Sequence, residues 1–132
     1  VVGDDNIIIF GMNEREVLDY YRSGTYSAIE LYNSDSRIKK VVDQLINGFF
    51  PVSSIEFMSI YNHLLMYNDE YFVLKDFDSY LKAHDRVDKL YRERDKWLGM
   101  SITNIAHSGV FSSDRTISEY GTGIWGVRNV YI

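Results

Sequence analysis

Ser36-Arg37-Ile38-Lys39-Lys40-Val41-Val42-Asp43-Gln44-Leu45-Ile46-Asn47 is the stretch on which the reading of the fold turns. Its apolar residues Ile38, Val41, Val42, Leu45 and Ile46 stand at i, i+3, i+4, i+7 and i+8, the spacing that lines one face of an α-helix, and Gly48 supplies a C-terminal stop. The same period recurs in both directions. Upstream, Asn13 caps a short helix from Glu14 to about Arg22, with acids in its first turn, Gly24 past its end, and Val17, Leu18 and Tyr21 on one face. Downstream, Phe49-Phe50-Pro51 reads as an extended apolar corner, and Ser53 or Ser54 opens a helix with Ile55, Met58, Tyr61 and Leu65 on one side, ended by Asn68-Asp69.

Three more helices follow. Asp76 is expected to cap a long one to about Arg92, striped by Phe77, Tyr80, Leu81, His84, Val87 and Tyr91. The next, from about Asp95 to His107, should bury Trp97 or Leu98, Ile102 and Ile105, and stop at Gly109. Ser113 should open the last, with Asp114 in its first turn and Ile117, Tyr120 and Ile124 as its face.

One segment reads differently. Ile7-Ile8-Ile9-Phe10 is β-branched, continuous and closed by Gly11, as in a strand buried on both faces. A lone strand leaves its N–H and C=O groups unpaired, so it needs a neighbour. Tyr71-Phe72-Val73-Leu74 could pair with it, or another chain could, or a part of the protein that precedes these residues. The expected class is therefore mainly α with one or two short strands, residues 1–132 forming a single unit without repeat or linker. Val1-Val2 is not a start methionine, and the opening strand has nothing before it, which suggests a piece of a longer protein.

Composition narrows the function. The chain has 132 residues, 45% apolar and 25% charged, ordinary for a soluble domain with a modest core. Eleven tyrosines and seven phenylalanines are many for this length, and suit a helical layer docked between a core and something else. A net charge of −5, with 19 carboxylates against 14 Lys and Arg, argues against a nucleic-acid partner. The basic stretch from Lys82 to Lys96 is interleaved with Asp85, Asp88, Glu93 and Asp95, and reads as a solvated, ion-paired face. Without cysteine there is neither a disulfide nor a thiolate metal site. No apolar run approaches the ~18 residues of a membrane helix, so no membrane partner is expected and the cytoplasm is the expected location.

A search for catalytic chemistry comes back nearly empty. His63, His84 and His107 lack the close spacing of metal ligands, and His84 sits on an apolar stripe as a packing residue would. No serine lies in a G-x-S-x-G elbow. Carboxylate pairs such as Asp4-Asp5 and Asp85/Asp88 are expected by chance among so many acids. Gly121-Thr122-Gly123-Ile124-Trp125-Gly126 matches G-x-G-x-x-G by letter, but it follows a helix rather than a strand and has no room to open another. Ser112-Ser113-Asp114-Arg115-Thr116-Ile117 could hold an anion at a helix N-terminus, but reads better as a cap.

Asn104-Ile105-Ala106-His107-Ser108-Gly109-Val110-Phe111-Ser112-Ser113-Asp114-Arg115-Thr116-Ile117, closing on Ile124-Trp125-Gly126-Val127, resembles the extreme C-terminus of the α-glucan phosphorylases. Further motifs keep that family's order: Asn6 to Gly11, Gly48-Phe49-Phe50, Tyr71-x-Val73-Leu74-x-Asp76-Phe77-x-x-Tyr80, and Arg86-Val87-Asp88-x-Leu90-Tyr91 with Trp97. The resemblance covers nearly the whole chain. It departs at Gly121-Thr122-Gly123, where family members usually carry Ala-Arg-Glu.

The resemblance implies the tail of the second Rossmann-like domain of a two-domain glycosyltransferase of the GT-B type, whose last helices return toward the first domain. It implies a parent that removes terminal glucose from an α-1,4-glucan with inorganic phosphate, giving glucose 1-phosphate. The family's pyridoxal phosphate sits on a lysine in a Gly-Thr-Gly-Asn-Met-Lys-type segment that precedes the opening strand. None of Lys39, Lys40, Lys75, Lys82, Lys89 or Lys96 has such a neighbourhood, so no catalytic, cofactor-binding or metal residue is expected here. The preferred expectation is a structural portion of an enzyme, inactive and without cofactor by itself, whose partner is the rest of the phosphorylase chain. The rival is an independent helical binding or regulatory module. Alone, the piece should self-associate, for instance by pairing residues 7–10 across two chains, or fold loosely.

Overall fold

In a computed structural model, residues 2–127 are described, and they hold seven α-helices. These are α1 (Glu14–Ser23), α2 (Ala28–Ser34), α3 (Ser36–Asp43), α4 (Ser54–Leu65), α5 (Phe77–Arg92), α6 (Arg94–His107) and α7 (Ser113–Glu119). Two compact units emerge, one of Phe10–Asp85 and one of residues 2–9 with 86–127.

In the first unit, α1 begins at a capping box. The Asn13 side chain accepts from the Glu16 N–H, and the Glu16 carboxylate accepts from the Asn13 N–H. Gly24 closes the helix in the left-handed region, its N–H donating to the Tyr20 carbonyl. Ser27 then caps α2, an element the periodicity reading passed over. Ala28 and Tyr32 of α2, Ile38 and Val42 of α3, and Leu74 form the buried cluster, with Tyr61 and Leu65 of α4 packed against it. Of the apolar stripe that opened the reading, Ile38 and Val42 build the core, Leu45 and Ile46 are half-buried, and Val41 is exposed. Helix α3 ends at Asp43 rather than near Asn47, the next residues continuing as turns.

No strand occurs among the described residues, which corrects the expectation of one or two. Ile7 is extended, but residues 7–10 meet no second extended segment, and a strand exists only as a member of a ladder. Tyr71-Phe72-Val73-Leu74, the expected partner, is a turn. Its Phe72 lies at φ 57°, and the Phe72 N–H donates to the Asp69 carbonyl at 2.8 Å. Side chains at and just before the start of α5 take over where a ladder would have served. The Gly11 N–H donates to Ser79 Oγ at 2.6 Å, and the Met12 N–H donates to Asp76 Oδ1 at 2.9 Å.

In the second unit, α6 uses one side only. Trp97, Met100, Ser101 and Asn104 recur at helical spacing and line a hollow shared with residues 6–8, and the Asn104 amide donates to the Asn6 carbonyl at 2.7 Å. Of the residues expected to be buried, Trp97 rather than its alternative Leu98 is on this side, while Ile102 and Ile105 lie with Leu98 on another side and are exposed. Ser112, not Ser113, caps α7, its hydroxyl accepting from the Arg115 N–H. The chain then winds into a wide π-type turn over Tyr120–Ile124, the place of the Gly121-Thr122-Gly123 departure.

Candidate functional site

The residues singled out as possible catalysts are not brought together. His63 packs on Tyr67, His84 on Tyr80, and His107 Nδ1 lies 2.8 Å from the carbonyl of Thr103, one turn back on its own helix. No group of three or more His, Cys, Asp or Glu side chains converges as metal ligands among the described residues. Asp88 pairs with Arg92 along α5, and the carbonyls of Asp4 and Asp5 take the Arg86 guanidinium. The Gly121–Gly126 run lies in and after the π-type turn, with no helix N-terminus facing a ligand. Arg115 is engaged locally, donating to the Val110 carbonyl at 2.7 Å and pairing with Glu119 at 2.8 Å.

Two polar networks hold the first unit together. Tyr32 donates to Asp43 Oδ1 at 2.5 Å, and Lys39 Nζ reaches both the Tyr32 oxygen (2.7 Å) and Asp43 Oδ2 (2.9 Å). The Tyr32 hydrogen bond, then that of Lys39, holds the Asp43 carboxyl below its ordinary range. Hydrogen bonding to Tyr32 and then Asp43 keeps Lys39 protonated to unusually high pH. In the second network, Tyr26 donates to Asp69 Oδ2 at 2.7 Å, and the Leu74 N–H donates to the same oxygen at 2.7 Å. Burial first, and the bond to Asp69 second, push the Tyr26 hydroxyl far above its ordinary value. Both networks serve packing; neither has a nucleophile beside a base.

What is presented outward is apolar. On α6, Leu98, Ile102 and Ile105 recur at i, i+4 and i+7, so they share one face, and Ile102 and Ile105 are 65% and 72% exposed. Ile117, Ile124 and Trp125 are exposed farther along, at and after α7. Within the first unit Phe49 and Ile55 are exposed too. A helix that is apolar on two sides normally lies inside a larger body. These faces are the candidate site, and their chemistry is that of an interface. Periodicity found the residues but could not tell a face packed within the chain from one left open.

A helical layer with an open apolar face presents the chemistry of an interface. Residues 1–127 match the family model described as "Phosphorylase: Carbohydrate phosphorylase". Among curated relatives, the chain is 57% identical to glycogen phosphorylase of Bacillus subtilis over 127 residues, covering 96% of this chain and 16% of that protein. It is 42% identical to glycogen phosphorylase of Haemophilus influenzae (99% of this chain, 16% of that protein). It is 40% identical to the muscle form of glycogen phosphorylase of Bos taurus (96% and 15%). The chain belongs to the carbohydrate phosphorylase family. It spans about a sixth of the length of the curated relatives it matches.

Proposed function

We propose that residues 1–132 are the C-terminal structural portion of the second Rossmann-like domain of an α-glucan phosphorylase of the GT-B type, inactive by themselves. The parent enzyme cleaves the terminal α-1,4-glucosyl unit of a glucan with inorganic phosphate, releases glucose 1-phosphate, and works in the cytoplasm. The observation that carries this reading is the Leu98-Ile102-Ile105 face, which the rest of the phosphorylase chain would cover. No helix among the described residues is long and apolar enough to cross a membrane.

The family uses pyridoxal phosphate, and three of the six lysines here are engaged in ways that do not suit that group. A lysine that forms a Schiff base must reach its neutral form, whereas Lys39 is held charged by Tyr32 and Asp43. Lys96 pairs with Glu93 at 2.9 Å, and Lys75 Nζ lies over the Tyr20 ring. Together with the lack of a Gly-Thr-Gly-Asn-Met-Lys-type run, these engagements support a cofactor site in a part of the parent outside these residues. The test compares the full-length protein with residues 1–132. The full-length protein should release glucose 1-phosphate from an α-1,4-glucan and phosphate. Residues 1–132, incubated with pyridoxal phosphate and reduced with borohydride, should show no stoichiometric adduct on peptide mapping. One site-specific adduct, or phosphorolysis by the short chain, overturns the proposal.

A further inference from the structure

The first unit holds a cavity of about 280 Å³ that neither polar network uses up. Among its lining residues is Asp69, only 4% exposed. Asp69 Oδ2 accepts from Tyr26 and from the Leu74 N–H, but Oδ1 accepts no hydrogen bond from the described residues. That oxygen is not sealed off, since no buried side-chain oxygen is left without a partner among the described residues. Asp69 lines the hollow, and Oδ1 is its carboxylate oxygen without a donor among the described residues. Tyr21 and Tyr67 line the hollow with rings that are 59% and 68% exposed.

The hollow is pre-shaped. Asn68, Asp69 and Phe72 all take the left-handed conformation, at φ 59°, 46° and 57°, which is unusual for Phe above all. The loop is pinned at both ends. The Asn68 amide donates to the Tyr26 carbonyl (3.0 Å) and accepts from the Ala28 N–H (2.8 Å), while the Tyr21 hydroxyl donates to the Glu70 carbonyl (3.0 Å).

Exposed aromatic surface beside a desolvated carboxylate oxygen suits two ligand classes, organic cations and sugars. A cation cage needs several ring faces turned inward. Here Tyr20, Tyr26 and Phe72 pack on one another with centroids 4.7 to 5.9 Å apart, and Lys75 Nζ already lies over the Tyr20 ring. Tyr21 meets Phe72 and Tyr67 meets His63, each at 5.2 Å between centroids, and both keep exposed ring surface. Two rings and one acceptor fit a pyranose, whose C–H face lies against an aromatic ring while a hydroxyl donates to the carboxylate. The volume admits about one ring at the low end of small-ligand sites.

We propose that this hollow is an auxiliary saccharide site that takes one glucosyl ring of an α-glucan, with Tyr67 as its platform and Asp69 Oδ1 as its acceptor. The choice of an α-glucan among pyranoses rests on the function proposed above; the site itself rests on the geometry.

The test is native electrophoresis of the full-length protein through gels containing soluble amylose, comparing wild type, Tyr67→Ala, Tyr67→Trp and Asp69→Asn. Tyr67 is exposed, so its replacement leaves the fold intact. Tyr67→Ala should raise the apparent Kd about three- to tenfold, the loss expected for one aromatic contact. Tyr67→Trp should bind as wild type does, and Asp69→Asn should weaken binding. Equal retardation of wild type and Tyr67→Ala overturns the proposal. So does displacement by tetramethylammonium chloride, but not by maltose, at matched ionic strength, which would mark a cation site. If wild type shows no phosphorolysis while Tyr67→Ala still loses retardation, the proposed function fails and this site stands.

Discussion

Tyr26 Oη and Asp69 Oδ2 lie 2.7 Å apart across 43 positions of sequence, and that contact fixes the turn that enters α5. The Asp69 carboxylate is desolvated, so its donors decide whether burial is tolerated. The Leu74 N–H on the same oxygen ties the turn to the core cluster, of which Leu74 is a member.

Tyr26→Phe should therefore destabilise the chain by about 1–3 kcal/mol, the range for leaving a buried acceptor short of a partner. Burial and the bond to Asp69 raise the Tyr26 hydroxyl above its unfolded value, so its contribution is full below about pH 10 and is lost as pH rises further. Chemical denaturation at neutral pH checks the first statement, and a loss below about 0.5 kcal/mol would contradict it.

Gly11 is a second point of close approach. It lies at φ 86°, and a Cβ there would stand 2.7 Å from Asp76 Oδ2, whose partner oxygen accepts from the Met12 N–H. Gly11→Ala should cost more than about 1 kcal/mol, since strain and the displaced carboxylate add. Asp76→Ala in the same background removes the clash and should recover part of the loss; no recovery in the double mutant would dismiss the contact as the cause.

The cap of α7 separates two adjacent serines. Ser112 Oγ accepts from the Arg115 N–H at 3.2 Å, whereas Ser113 is the first helical residue. Ser112→Ala should cost ~1 kcal/mol and Ser113→Ala much less. Denaturation of the two variants side by side checks this, and the reverse order would return the cap to Ser113.

Local rules carried far along this chain, and their failures are instructive. The cap at Asn13 and the stop at Gly24 were legible because each is decided within one turn, and the structure settles on Ser53 where the sequence offered Ser53 or Ser54. Helix α2 was missed, although Ser27-Ala28-Ile29-Glu30 has the S-x-x-E form of a capping box and Ala28, Leu31 and Tyr32 share a face. Residues 7–10 read as a strand because their composition fits one, but pairing is not a property of one segment. Ile102 and Ile105 read as buried but are exposed, since periodicity names a face without saying what covers it. The Asp69 hollow had no sequence mark at all; three left-handed residues and contacts over 40 or more positions make it.

Acid should act first on two carboxylates. The side-chain bond from Arg37 holds Asp35 down at about 2, and Tyr32 and then Lys39 hold Asp43 below its ordinary range. Both folded values lie under the unfolded ones, so their stabilisation is present above about pH 4 and is lost as pH falls toward 2. Asp43→Asn should flatten the acid limb of the stability curve. Denaturation midpoints followed down that range check it, and an unchanged slope in the variant would remove Asp43 from the account.

The exposed face of α6 governs how residues 1–132 behave alone. Leu98, Ile102 and Ile105 lie on one side of the helix, and Ile7, Ile9 and Phe10 are exposed with no ladder to join. Both features favour association: the first by removing apolar surface from water, the second by pairing main-chain groups. The expected result is self-association that strengthens with concentration, or loose folding that hydrogen exchange would reveal. Ile102→Lys and Ile105→Lys together should weaken association without destabilising the unit, because neither side chain supports its core. A proline at Ile9 tests the other route, since it removes an N–H that a cross-chain ladder would need. Sedimentation over a concentration series separates the two: loss of association with the lysines assigns it to the α6 face, and loss with the proline assigns it to residues 7–10. A compact monomer at every concentration, with protected amides at residues 7–10, would mean that this portion of a phosphorylase stands as a domain of its own.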